Sequence, residues 1–220
     1  MSVLLPLYTH PAVDPEPWRL ALAAADRVHG VVLNAADGPG ELADPAFAEA
    51  SRGLRAAGVP VLGYVDLDYG ERPESEVAAD LERHRSWFSV DGWFFDRAPA
   101  ERSALPHCRR TVRAARRTGA RTVVLNPGAH PAPGYARLAD LIVTFEGHWT
   151  SYVAPFDRPR WTTRFPPERF CHLVYGVPRA MSPVAVRTAL DRGAAVCCAV
   201  GGELPNPWSA LPPELLEPSP

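Results

Sequence analysis

The chain has 220 residues, 46% of them hydrophobic and 22% charged, with a formal net charge of −2. That length supports one full hydrophobic core and a single domain spanning 1–220. The near-neutral balance offers no basic footprint for nucleic acid or an anionic membrane. All 23 basic residues are arginine, which excludes a Schiff-base aldolase, a pyridoxal-phosphate enzyme and a P-loop of the GK[ST] type; with abundant alanine and proline, it fits a GC-rich genome.

The chain opens on an apolar run at 3–8 with no basic leader and no run near the length of a membrane span, which predicts a cytoplasmic protein. A helix follows from Glu16 to Asp26, then a strand at 29–35. Pro45–Ala57 reads as a helix capped by Asp44 and stopped by Gly58. A strand at 60–66 leads to a helix over Glu74–Phe88 with Val77, Leu81 and Trp87 on one stripe. Strand 92–97, helix Pro106–Thr118, strand 121–126 and a short helix at Gly134–Ala139 come next. Strand 141–146 is followed by an irregular segment, 148–169, in which Trp149, Tyr152 and Trp161 form either a lid beside a site or ordinary packing. Strand 170–176, a helix from Ser182 as N-cap to Gly193, and strand 195–200 complete the series, with room for only a short helix after Pro205. Near-continuous apolar strands alternating with helices indicate a parallel sheet covered on both faces, and eight such units predict a compact α/β (β/α)₈ (TIM) barrel. An open doubly wound sheet is the rival, without a GxGxxG turn to support it.

Cys108, Cys171, Cys197 and Cys198 show no CxxC spacing. Cys197 and Cys198 are neighbours on a strand and point to opposite faces, so all four read as small buried hydrophobes in a reducing compartment.

In such a barrel, chemistry gathers at the carboxyl ends of the strands. Those ends carry Tyr8, His10, Asn34, Tyr64, Asp66, Asp68, Asp96, Asn126, Glu146 and Tyr175, and only the last strand delivers nothing. Strand alternation puts Asp96 on the face of Phe94 and Glu146 on the face of Thr144. Trp93, Phe95, Val143 and Phe145 are left for the helical side, unless a bulge reverses the parity. Two carboxylates ending buried strands are costly to desolvate, and they have the arrangement an acid–base pair for glycosidic cleavage requires. The alternative is a pair of structural carboxylates salt-bridged to arginine. Tyr8, Asn34, Tyr64, Asp66, Asn126 and Tyr175 are candidate sugar-binding positions, since aromatic faces pack on sugar rings and carboxylates and amides bond hydroxyls. His10, Asp66, Asp68, Glu146 and His148 show no metal-ligand spacing, so neither a metal nor a cofactor is predicted.

The segments PLYTHP (6–11), LNAADGPG (33–40), VLGYVDLDYG (61–70), VDGWFFDR (90–97), VLNPGAHP (124–131) and VTFEG (143–147), followed by VYGVP (174–178), resemble in order and spacing the signature segments of the spherulin-4 (spherulation-specific family 4) proteins. The resemblance implies a (β/α)₈ barrel with glycoside hydrolase activity on amino-sugar polysaccharides of the galactosaminogalactan type. Asp96 matches the first of two consecutive acids in the strand-four motif, Glu146 matches the strand-six glutamate, and Arg97 stands where the second acid would be. Three readings follow: a hydrolase acting on a carbohydrate containing N-acetylhexosamine, with Glu146 as general acid and Asp96 as its ionised partner or the two roles exchanged; a catalytically silent barrel that binds glycan or has only a structural role; or an enzyme acting on another, small-molecule substrate.

Overall fold

Strands this short and apolar need cover on both sides, and the chain supplies it by returning through a helix or a proline-rich segment after each one. The computed structural model describes residues 1–216. Its order is β1 (Val3–Leu7), α1 (Glu16–Ala23), β2 (Val28–Leu33), α2 (Pro45–Ala56), β3 (Val61–Asp66), α3 (Glu74–Phe88), β4 (Gly92–Asp96), α4 (Leu105–Arg117), β5 (Thr122–Leu125), β6 (Leu141–His148), α5 (Trp149–Tyr152), β7 (Phe170–Tyr175), α6 (Ser182–Asp191), β8 (Val196–Ala199) and α7 (Pro213–Leu216). The strands pair in parallel in sequence order, β1 to β8. Ser2 completes the ring against β8, donating to the Ala195 carbonyl and accepting from the Cys197 amide at 3.1 Å. The predicted (β/α)₈ barrel is the observed fold.

Local chemistry explains the helix boundaries. Asp44 caps α2 through Oδ1, which accepts from the Ala46 amide at 2.8 Å, and Gly58 at φ 81° ends it. On α3 the buried stripe is Val77, Leu81, His84 and Phe88, while Trp87 is half-buried beneath the Arg83 guanidinium; the stripe expected to end on Trp87 ends one residue later, on Phe88. Ser182 is the first residue of α6 rather than its cap, and its hydroxyl donates to Glu214.

After β5 and β6 the cover thins. A 3₁₀ segment, Pro133–Arg137, takes the place of the expected helix at 134–139, and 148–169 holds only α5 and the 3₁₀ turns Arg160–Arg164 and Pro167–Arg169.

Alternate strand residues divide between two apolar layers. Phe94, Val124, Cys171, Leu173 and Cys198 pack together on one side. Trp93, Phe95, Val123, Leu125 and Cys197 join Val112, Ala115 and Ala185 of the helices on the other. Cys197 and Cys198 therefore do face opposite ways, and all four cysteines are buried and free. On β6 the alternation breaks. Val143 sits with the inner layer opposite Cys171, then the register slips, and Phe145 pairs with His172 while Glu146 pairs with Leu173. Val143, expected on the helical side, is inside. Glu146 is inward because the extra residue at the slip reverses the parity.

Gly92 begins β4 where backbones crowd. A Cβ there would lie 2.2 Å from the Thr122 carbonyl oxygen. Gly92→Ala must push β4 and β5 apart, and is expected to lower stability by about 1–3 kcal/mol or more. Urea denaturation checks this, and an unchanged midpoint would contradict the close approach.

Candidate active site

The β4–β5 pairing aligns Phe95 with Leu125, so Asn126 follows one step beyond, beside Asp96. Its amide nitrogen donates to Asp96 Oδ1 at 2.6 Å and to Glu146 Oε2 at 2.5 Å. The Asn126 side-chain oxygen accepts from the Gly128 amide at 3.0 Å, which fixes the orientation of the amide group. The other oxygen of Asp96 accepts from the Tyr64 hydroxyl at 2.7 Å. Glu146 is placed by β6, with its own backbone N–H on the Gly128 carbonyl. Sharing one nitrogen keeps the two bonded oxygens within about 5 Å of each other, short of the wider separation that inverting acid pairs need to admit a water.

These groups stand at a cavity of about 590 Å³ at the carboxyl ends of the strands, large enough for a sugar ring and its neighbours. Tyr8, Asn34, Tyr64, Glu146 and Tyr175 line it. Asp96 and Asn126 do not; they reach it through Tyr64 and Glu146, which they hydrogen-bond. Tyr8 meets Tyr64 edge-on at 5.7 Å, and Tyr175 meets Trp208 edge-on at 6.2 Å. Asn34 serves the turn beside it, its Oδ1 accepting from the Gly38 amide at 2.8 Å.

Burial, reinforced by the nearby Asp96 charge, pushes the Glu146 carboxyl up to about 7, and the Asn126 hydrogen bond only partly opposes this. Burial also raises Asp96, against hydrogen bonds from Tyr64, the Arg97 backbone N–H and Asn126 that favour its ionised form. The Arg97 side chain is turned away from Asp96, clamped on Asp66 and 3.0 Å from Asp68. Asp66 therefore takes part in an ion pair and lies outside the cavity lining, with Oδ1 also accepting from the Asp68 amide at 2.7 Å.

His10 pairs with Asp44 at 2.8 Å, and His148 approaches Glu203 at 3.4 Å. Among the described residues no three His, Cys, Asp or Glu side chains converge as metal ligands. Tyr152 is fully buried, hydrogen-bonded to His172 and stacked by Arg192, and Trp161 packs on Phe165 and Phe170. Neither lines this cavity. Two contributors were missed: Asp37, held at φ 50° on the cavity wall, and Leu204–Trp208, which follow the last strand. In the sequence, the ADGPG turn at 36–40 and the NPW run at 206–208 mark these two segments.

A family model described as Spherulation-specific family 4 matches residues 2–213. The chain belongs to this family. Spherulin-4 of Physarum polycephalum is 31% identical over 150 residues, a match taking in 66% of this chain and 45% of that protein, so the likeness spans less than half of the relative. Among solved structures, Aspergillus clavatus Sph3 in complex with GalNAc superposes with a TM-score of 0.80 at 24% identity, over 97% of this chain and 94% of that one. A chitinase from Rhizomucor miehei gives 0.59 at 10% identity, over 97% and 99%. Both share with this spherulation-specific family 4 chain its barrel.

Because Glu146 keeps its proton up to about pH 7 in the folded state and loses it near 4.5 when unfolded, the folded protein binds more protons across that window. Stability therefore falls as pH rises through it, and Glu146→Gln is expected to remove on the order of 3 kcal/mol of that fall. Denaturation midpoints at a series of pH values check this; parallel curves for wild type and variant would contradict it. Asn126→Ala removes a donor from both ionised acids, so the Glu146 midpoint, followed by carbon-13 NMR, is expected to move above about 7.

Proposed function

We propose that this protein hydrolyses glycosidic bonds in a poly- or oligosaccharide containing N-acetylhexosamine. The observation that carries the reading is the single Asn126 amide holding two half-buried acids together at an open cavity, with one acid raised to about 7. Glycosidic cleavage needs that difference: one carboxyl still protonated near neutrality and a partner that stays ionised. Glu146, on the cavity wall, donates its proton to the leaving oxygen as the C1–O bond breaks. It then takes a proton from the water that completes hydrolysis. Asp96 has both oxygens engaged and does not line the cavity. It acts by charge and orientation, stabilising the oxocarbenium-like transition state and positioning the substrate's acetamido group, whose carbonyl oxygen is free to attack C1. The Sph3 structure with GalNAc and the chitinase barrel support a sugar of this class, and Tyr8, Tyr64 and Tyr175 offer aromatic surface for its ring.

A second reading, a barrel that holds glycan without cutting it, is favoured by Arg97, whose guanidinium is spent on Asp66 and Asp68 where the resembling motif has an acid. Incubation with N-acetylated amino-sugar polymers separates the two: the hydrolase releases reducing ends, and the binder only retains polymer. Glu146→Gln and Asp96→Asn are each expected to lower the rate at least ~100-fold with the fold intact by circular dichroism. Full activity in either variant would overturn the assignment. The rate is expected to decline above pH about 7, where Glu146 loses the proton it must donate.

A further inference from the structure

A second cavity, of about 540 Å³, opens on the barrel flank where regular helices are missing after β5 and β6. Its lining brings Arg102 and Leu105 from the start of α4 together with Arg137 of the 3₁₀ segment and Trp161, Arg164 and Phe165 of the segment after α5. No carboxylate lines it. Arg102, Arg137 and Arg164 are exposed, and none makes an ion pair or hydrogen bond among the described residues. Trp161 is half-buried and held edge-on by Phe165 at 6.2 Å and by Phe170 at 5.8 Å, which leaves a fixed aromatic wall beside the cations. The neighbouring helix α4 carries five arginines and no acidic residue; Arg110 pairs with Glu74 and Arg116 with Asp140, which leaves Arg109, Arg113 and Arg117 to add positive charge on this flank. The catalytic cavity has the opposite character, with Asp37 and Glu146 and no cation in its lining.

We propose that this flank cavity binds a ring-bearing phosphomonoester. A single guanidinium already saturates a carboxylate through its two oxygens. Three guanidiniums around one opening match a group with three terminal oxygens and nearly two negative charges, which is a phosphate ester. The aromatic wall supplies a face for the ring that carries it, a sugar or a nucleoside. Two sources share that chemistry, and the probes distinguish them.

Binding of galactose 1-phosphate, AMP, inorganic phosphate, glucuronate and galactose to the full chain can be followed by tryptophan fluorescence and calorimetry. At least one of the two phosphate esters is expected to bind tenfold or more tighter than inorganic phosphate, glucuronate and galactose. That affinity should weaken with added salt and fall at least tenfold in Arg137→Ala, Arg164→Ala and Trp161→Leu. The two arginine side chains are exposed, so circular dichroism should show their variants folded, and they keep the question open to test if Trp161→Leu does not fold. Whichever ester binds names the source. Inorganic phosphate or glucuronate binding as tightly as both esters, affinity unchanged in the arginine variants, or no binding at all would each overturn the proposal. An ester site that persists in the arginine variants would belong to the outer face of α4. Because the readout is binding away from Glu146, failure here leaves the hydrolase reading standing, and failure of hydrolysis leaves this one standing.

Discussion

Two carboxylates held within about 5 Å of each other inside a protein repel each other and resist leaving water, and either effect favours the neutral form of one of them. Asn126 relieves the conflict because a side-chain amide has two N–H donors on one nitrogen, one for each acid. Its carbonyl oxygen is tied to Gly128, so the amide keeps its donors aimed at the acids. Coupled this closely, the acids exchange protons as a pair. The unequal surroundings then divide the roles: Asp96 accepts from Tyr64 as well as Asn126, whereas Glu146 has Asn126 alone and rises to about 7.

The slip in β6 matters as much as the amide. Leu141 and Val143 face inward, and an unbroken two-residue period would send Phe145 inward and Glu146 out against the helical layer. With one residue inserted, Phe145 packs on Tyr152 and His172 outside, and Glu146 joins Leu173 within. A bulge beside a site commonly re-aims one side chain in this way. The same irregularity accompanies the loss of regular helices on this flank, and the segments before and after this strand, at 132–137 and 161–165, line the arginine-rich cavity.

At the β3–β4 corner, Asp68, Tyr69 and Arg97 all adopt positive φ without being glycine, at a cost on the order of 1–3 kcal/mol each. The corner is held by the Tyr69 amide on the Arg97 carbonyl at 2.7 Å, by the Arg97 clamp on Asp66 and Asp68, and by Arg97 lying over the Tyr69 ring. Its electrostatic result is that Asp66 is compensated by a cation, leaving Asp96 and Glu146 as the half-buried acidic pair.

The amino-acid order by itself determined the eight strands, the long helices and the end of the barrel where polar residues collect. Apolar runs, caps and glycine stops act over a few residues, so local physics suffices to read them. It also placed Asp96 and Glu146 towards the carboxyl ends of two strands of one parallel barrel. Only the tertiary structure decided that Glu146 turns inward by a register slip, since LIVTFE has the same alternation with or without the extra residue. Tertiary contact likewise assigned Asp66 to Arg97, joined Asn126 to both acids, and brought Trp208 from beyond a strand whose tip is bare. Each of these depends on which distant segment occupies the adjoining space, and a side chain's nearest partner in three dimensions is chosen by packing and charge across the whole barrel.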